Sequence, residues 1–229
     1  MAEGPPAPTS RVAQAARARP FRLARLGILL SGRGSNFLAI HEAIQRGEVP
    51  AEIALVVSNR PQAAGLARAR ELGLPAVAIP HGAGADRRSA HEAEVVAALE
   101  AARVEWICLA GYMRLLSPGF VARFRGRLLN VHPSLLPAFP GLDAQRQALE
   151  YGARVSGCTV HLVDEGLDSG PIVVQLAVPV LEDDSPQSLA ARILEQEHRA
   201  YPEALRRLLT EPWRLVGRRV VFGGAERRE

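Results

Sequence analysis

Between residues 24 and 131, short runs rich in Val, Ile and Leu alternate with amphipathic stretches of helical period. This alternation constrains the fold more than any other feature of the chain. The strand-like runs fall at 24–30, 52–58, 74–79, 106–110 and 127–131. Helices are expected over 36–46, 62–72 and 86–102, the last with Val95, Val96, Ala98 and Leu99 on one face. Strands joined by helices over short connections pair in parallel, so the pattern predicts an α/β fold on a mostly parallel, doubly wound sheet. After residue 150 the pattern changes. Segments 155–163 and 171–180 are both strand-like, and the loop 164–170 between them is too short for a helical crossover. An antiparallel strand is therefore expected toward the C-terminal half. A long helix over 185–209 follows, with Ser185 as N-cap and Pro186 in its first turn.

A chain of 229 residues, 48% hydrophobic, is long enough to bury one sizeable core, and a single domain over 23–222 is expected. The formal charge of +4 and the pI near 9.8 raise the question of a nucleic-acid partner. Residues 1–25 hold the whole excess, with Arg11, Arg17, Arg19, Arg22 and Arg25 against Glu3 alone. The rest balances at 23 basic and 23 acidic side chains, so no nucleic-acid partner is expected. Lysine does not occur, which excludes Schiff-base and phosphate-loop lysines. The two cysteines, Cys108 and Cys158, form no disulfide framework and read as buried thiols in a reducing compartment. No apolar run approaches the roughly 20 residues that a membrane helix needs. Residues 1–22, rich in Ala, Arg and Pro, lack the apolar core of a signal peptide and read as a disordered tail. A cytoplasmic protein with no membrane partner is the expectation.

Four segments carry chemistry. The turn Ser31-Gly32-Arg33-Gly34-Ser35-Asn36 follows a strand and opens a helix, so the amides of Gly34, Ser35 and Asn36 and the Ser35 hydroxyl form either an anion cradle or a plain tight turn. Asn130-Val131-His132-Pro133-Ser134 lies at the carboxyl end of a strand, where open parallel sheets place their ligands. Strand alternation puts Asn130 and His132 on one side, an amide donor beside a titratable imidazole. In the loop 164–170, Asp168 is flanked by Gly166 and Gly170, either a carboxylate brought to a site or an acidic surface turn. Met113-Arg114-Leu115-Leu116 follows another strand and either walls a flat heterocycle or packs at a helix start.

In the order SGRGSN, AGYMRLLSP, LLNVHPSLLPAFPG, GCTVH, DEGLDSGP and QEHRAYP, the chain from about residue 26 to 213 resembles the folate-dependent formyltransferases. SGRGSN and Glu197-His198-x-x-Tyr201-Pro202 narrow the resemblance to the branch acting on glycinamide ribonucleotide (GAR). The resemblance implies a Rossmann-like formyltransferase fold, with a nucleotide-binding half (about 23–125) and a folate-binding, catalytic half (about 126–222). It implies Asn130, His132 and Asp168 as the catalytic trio, with Ser134 and His161 in support. Gly34, Ser35, Asn36 and Glu197 would bind GAR; Arg88, Met113, Arg114, Leu115, Leu116 and Asn130 would bind the folate. It further implies 10-formyltetrahydrofolate as co-substrate, no metal, GAR and formyl folate as small-molecule partners, and a monomer or weak homodimer. Ala138, Asp143 and Gln145 depart from the family, which usually has Lys at the first position and His at the other two. Two other readings remain: a formyltetrahydrofolate hydrolase with water as acceptor, and a non-catalytic nucleotide-binding module, against which the complete trio argues.

Because a polar, Pro-rich terminus buries little surface, deleting residues 1–21 is expected to leave melting temperature and turnover nearly unchanged. A large drop in either would show that the tail docks on the body.

Overall fold

The computed structural model describes residues 22–81 and 85–223; the expected tail over 1–22 lies almost entirely outside the described residues. The N-terminal half runs β1 (Ala24–Leu30), α1 (Ser35–Gln45), β2 (Ala51–Ser58), α2 (Ala64–Glu71), β3 (Ala76–Ala78), α3 (Ala85–Ala101) and β4 (Trp106–Leu109). It continues with α4 (Pro118–Arg123), β5 (Leu128–His132), α5 (Ala144–Tyr151), β6 (Val155–Leu162), β7 (Ile172–Pro179) and α6 (Pro186–Thr210). A hairpin of β8 (Trp213–Val216) and β9 (Arg219–Phe222) closes the described chain. The nine strands of the described residues join one sheet in the order β3-β2-β1-β4-β5-β6-β7-β9-β8.

Strands β3 to β5 pair in parallel, as the strand–helix alternation predicts. Strand order reverses between β1 and β4, which opens a crevice at the carboxyl ends of the strands. β6 then runs antiparallel to β5, and β7 antiparallel to β6, so the expected reversal is present. β3 spans three residues where six were expected, because it is the sheet edge and pairs only with β2. Helix α5 and strands β8 and β9 have no counterpart among the expected elements.

Alternation along β1 divides the core between the two faces. Leu26, Ile28 and Leu30 pack with Phe37 and Ile40 of α1 and Leu189 and Ile193 of α6. Leu29, with Val57, Ile107 and Leu128, packs on the other face against Val95 and Leu99 of α3 and Phe120 of α4. Ser185 caps α6 in a reciprocal capping box with Ser188, and Pro186 occupies the first turn. Cys108 and Cys158 are buried free thiols, each with its pKa pushed up to about 12 by desolvation, so neither is a ready nucleophile. Among the described residues, no helix is long and apolar enough to cross a membrane.

Tyr201 fastens α6 to the centre of the sheet. Its ring is fully buried, and its hydroxyl lies 3.2 Å from the Leu109 carbonyl at the end of β4 and 3.0 Å from the Leu129 carbonyl within β5. Tyr201→Phe keeps the ring and removes that donor, so a loss of about 1–3 kcal/mol is expected. In a chain of this size each kcal/mol lowers the melting temperature by about 2–4 °C. An unchanged thermal melt would show that the hydroxyl contributes nothing.

Candidate active site

Three loops meet at the carboxyl edge of the sheet: the turn after β1, the segment after β4 and the segment after β5. In the first, Gly34 is the N-cap of α1 in the left-handed conformation, φ 75°. An added Cβ would also lie 2.9 Å from the Gly65 Cα, so α1 and α2 begin in backbone contact and only glycine fits. The amides of Ser35 and Asn36 belong to the first turn of α1, where backbone donors lack intrahelical acceptors and the helix dipole favours an anion. Asn36 Nδ2 donates to Glu197 Oε2 at 2.7 Å, joining α1 to α6 across 161 residues of sequence. Asn36 Oδ1 is buried without a partner. Burial raises the pKa of Glu197, and the Asn36 hydrogen bond opposes that shift.

β5 presents Asn130 and His132 on one side, as the alternation predicts, and β6 places His161 directly opposite Asn130. His161 Nδ1 lies 3.1 Å from the Leu162 carbonyl, which only accepts, so the proton sits on Nδ1. Nε2 then offers its lone pair to Asn130 Nδ2 at 3.2 Å. Desolvation lowers the His161 pKa and keeps this neutral tautomer in place. The result is an oriented Asn130 amide with one N–H spent on His161 and the other N–H and Oδ1 left over.

His132 is buried between two acceptors. Its Nε2 lies 2.8 Å from the Phe139 carbonyl, and its Nδ1 lies 3.3 Å from Asp168 Oδ2. Both nitrogens find full pairing only when both carry protons. Asp168 Oδ2 also accepts the Gly141 N–H at 2.8 Å, and Oδ1 lies 3.9 Å from His161 Nε2. One carboxylate therefore faces both imidazoles.

The loop that delivers Asp168 is tightly built. Asp164 Oδ1 accepts from the Ser169 hydroxyl at 2.6 Å and from the Gly166 N–H at 3.1 Å. At Gly170 a Cβ would lie 1.7 Å from the Leu162 carbonyl oxygen, so the loop returns flush against β6. Asp168 itself has φ 47°, Phe139 φ 52° and Asp143 φ 56°, left-handed conformations that cost side-chain-bearing residues about 1–3 kcal/mol each.

In the segment after β4, Met113 and Leu115 are 64% and 68% exposed, whereas Leu116 packs against the core on the α3 face. Arg88, expected near a cofactor tail, donates from Nη2 to the Leu115 carbonyl at 2.5 Å and so holds this segment. Ser134 is fully buried and donates to the Ala138 carbonyl, which braces the turn after β5. Ala138 contributes backbone groups, that carbonyl and an N–H donated to the Leu135 carbonyl at 3.1 Å. Asp143 stands at the N-cap of α5 without a side-chain cap, and Gln145 lies in the first turn. Sequence reasoning missed Phe139 and Gly141, whose contributions are backbone groups; the Pro140-Gly141 turn signal was their sole trace. It also missed Gly65, which is legible only once α1 and α2 are adjacent. Among the described residues, no group of three or more His, Cys, Asp or Glu side chains is placed to hold a metal ion.

Residues 24–205 match the model of the formyl transferase family. The chain is 50% identical over 190 residues to the trifunctional purine biosynthetic protein adenosine-3 of Drosophila melanogaster, covering 82% of this chain and 14% of that protein. It thus spans about one seventh of that relative's length. It is 43% identical to the phosphoribosylglycinamide formyltransferase of Escherichia coli (strain K12), covering 76% of this chain and 82% of the relative. The crystal structure of glycinamide ribonucleotide transformylase 1 from Symbiobacterium toebii superposes with a TM-score of 0.83 at 47% identity, covering 88% of this chain and 94% of that one.

The tautomer assigned to His161 is directly measurable. Its folded pKa is depressed below 6.5, so any stability it contributes is present above pH 6.5 and is lost progressively as pH falls from there through the lower folded value. In ¹⁵N NMR the neutral ring is expected to carry its proton on Nδ1 and to titrate below the ordinary histidine value. A ring that titrates at or above that value would remove the basis for the Asn130 orientation.

Proposed function

The chain belongs to the formyl transferase family, and on that premise we propose that it transfers the formyl group of 10-formyltetrahydrofolate to the amine of GAR, in purine biosynthesis. The observation that carries the reading is the meeting of Asn130, His132 and Asp168 at the end of β5. Beside it lies a separate anion-ready turn joined to Glu197.

In this reading the phosphate of GAR sits on the amides of Gly34, Ser35 and Asn36, at the positive end of α1. The ribose hydroxyls donate to Glu197 and to the unpaired Asn36 Oδ1. The pterin lies against Met113, Arg114, Leu115 and Leu116, with Arg88 beside them. Formyl folate is a substrate rather than a resident cofactor, and the surroundings proposed are those of a cytoplasmic enzyme.

The GAR amine nitrogen attacks the formyl carbon, a C–N bond forms, and the carbonyl electron pair moves to oxygen. The free N–H of Asn130 donates to that oxyanion, a type of contact whose removal costs about 100- to 1,000-fold in rate, and His132 stands beside it with Nε2 turned to the Phe139 carbonyl and Nδ1 to Asp168. The Phe139 carbonyl and Asp168 hold the His132 ring in place from its two sides. Collapse of the intermediate breaks the bond from carbon to N10, and the proton lost by the amine passes to N10 with Asp168 as relay. Tetrahydrofolate leaves. No covalent intermediate with the protein is required.

Mixing the protein with GAR and 10-formyltetrahydrofolate and following the folate absorbance tests the reading. GAR-dependent loss of the formyl donor is expected, and GAR-independent loss would make the protein a hydrolase instead. Asp168→Asn should lower turnover by about 100-fold or more while both substrates still bind, because its charge acts chiefly in the transition state. If Asp168→Asn turned over normally, the carboxylate would have no part in the chemistry.

A further inference from the structure

We infer that the Ser31 hydroxyl is a positioning residue for the folate substrate: it ties the backbone of Met113, and with it the exposed segment 111–117, to the end of β1. The inference rests on the proposed function, which assigns that segment to the pterin. Ser31 follows β1 directly and is buried. Its N–H donates to the Gly111 carbonyl at 3.0 Å, its Oγ accepts the Met113 N–H at 2.8 Å, and its own proton goes to Asn59 Oδ1 at 2.6 Å. The proton and one lone pair of the hydroxyl are thus both used inside the protein.

Ser31 opens the turn that would hold phosphate, yet its hydroxyl faces the other substrate. The turn is held without it, by Gly65 N–H on the Gly32 carbonyl and Leu38 N–H on the Gly34 carbonyl, each at 3.0 Å. The segment 111–117 has the opposite character. Met113 and Leu115 point largely to solvent, so side-chain packing does little to fix them. Its shape rests on hydrogen bonds from its neighbours: His91 to the Tyr112 hydroxyl, Arg88 to the Leu115 carbonyl, Glu92 to the Ser117 N–H, and Ser31 to Met113. The first three come from one face of α3, at spacings of three and four residues. Ser31 alone among these four holds the segment from β1, beneath the position where the ring would lie.

Removing the hydroxyl leaves two buried groups unpaired, the Met113 N–H and Asn59 Oδ1. Only the first bears on the folate. Asn59→Ala removes the Ser31–Asn59 bond while the Ser31 oxygen still accepts from Met113, which separates loss of stability from loss of positioning. Calorimetric titration with tetrahydrofolate, beside thermal melts, reads both effects in the full chain. Ser31→Ala is expected to weaken tetrahydrofolate binding by about tenfold, with the affinity for GAR changed by no more than about twofold. Asn59→Ala should lower the melting temperature to a similar extent and bind tetrahydrofolate as the wild type does; Ser31→Thr, which keeps a hydroxyl, should recover much of the affinity. Folded Ser31→Ala with unchanged tetrahydrofolate affinity, or with equal losses for both ligands, overturns the inference. A wild-type chain that binds tetrahydrofolate but does not formylate GAR overturns the functional reading instead.

Discussion

The reversal of β6 against β5 is the constraint on which the rest of the site depends. A parallel strand there would begin beside the amino end of β5 and exit at its carboxyl end, without the antiparallel pairing of His161 to Asn130. Running antiparallel, β6 sets His161 directly across from Asn130. The same reversal lets the β6–β7 connection carry Asp168 to His132. A one-residue slip in that register would turn His161 to the other face and leave the Asn130 amide without the acceptor that orients it. Gly170, with no space for a side chain against Leu162, helps hold the register at the loop's exit.

Tension between packing and local geometry marks the same region. Phe139, Asp143 and Asp168 all adopt left-handed backbone conformations within the two loops that frame His132. Each conformation has a visible use at two of these residues: it aims the Phe139 carbonyl at Nε2 and the Asp168 carboxylate at Nδ1. Such strain persists only where the surroundings over-determine the backbone. Here the surroundings are the brace from Ser134 to Ala138 and a nearby pair of bonds to Thr159, whose hydroxyl donates to the Ser134 carbonyl and accepts the Leu136 N–H. The sheet core and Tyr201 lie beneath them.

How much of this was legible in the sequence follows from the range of each signal. Periodicity reports local structure, so the parallel strands, the long α6 with its Ser185 cap and the shared side of Asn130 and His132 could all be read from short windows. Helix α5 and the β8–β9 hairpin gave no such pattern and have no counterpart among the expected elements. Pairings far apart in sequence, such as Asn36 with Glu197, lie outside any window, and the family resemblance alone had grouped them. Outside the turn 31–36, backbone contributions left almost no signal. The Phe139 carbonyl, the Gly141 N–H and the Met113 N–H each hold a functional segment without any side chain to announce it.

Glu197 shows how the fold adjusts a single carboxyl for its task. Burial raises its pKa, since ionisation there forfeits hydration. The Asn36 bond returns part of that loss, and Asn36 can be in place only because Gly34 and Gly65 bring the two helix starts together. In the proposed reading, ribose hydroxyls complete what Asn36 begins, because donors to a carboxylate favour its ionised form. By linkage, such a ligand binds the ionised carboxyl more tightly and lowers its pKa in return. Affinity for the nucleotide would then rise with pH through the elevated pKa and level off above it. A surface glutamate, already ionised and hydrated, would make no such distinction. The burial that makes Glu197 expensive to charge is therefore what lets it reward hydroxyl groups over water.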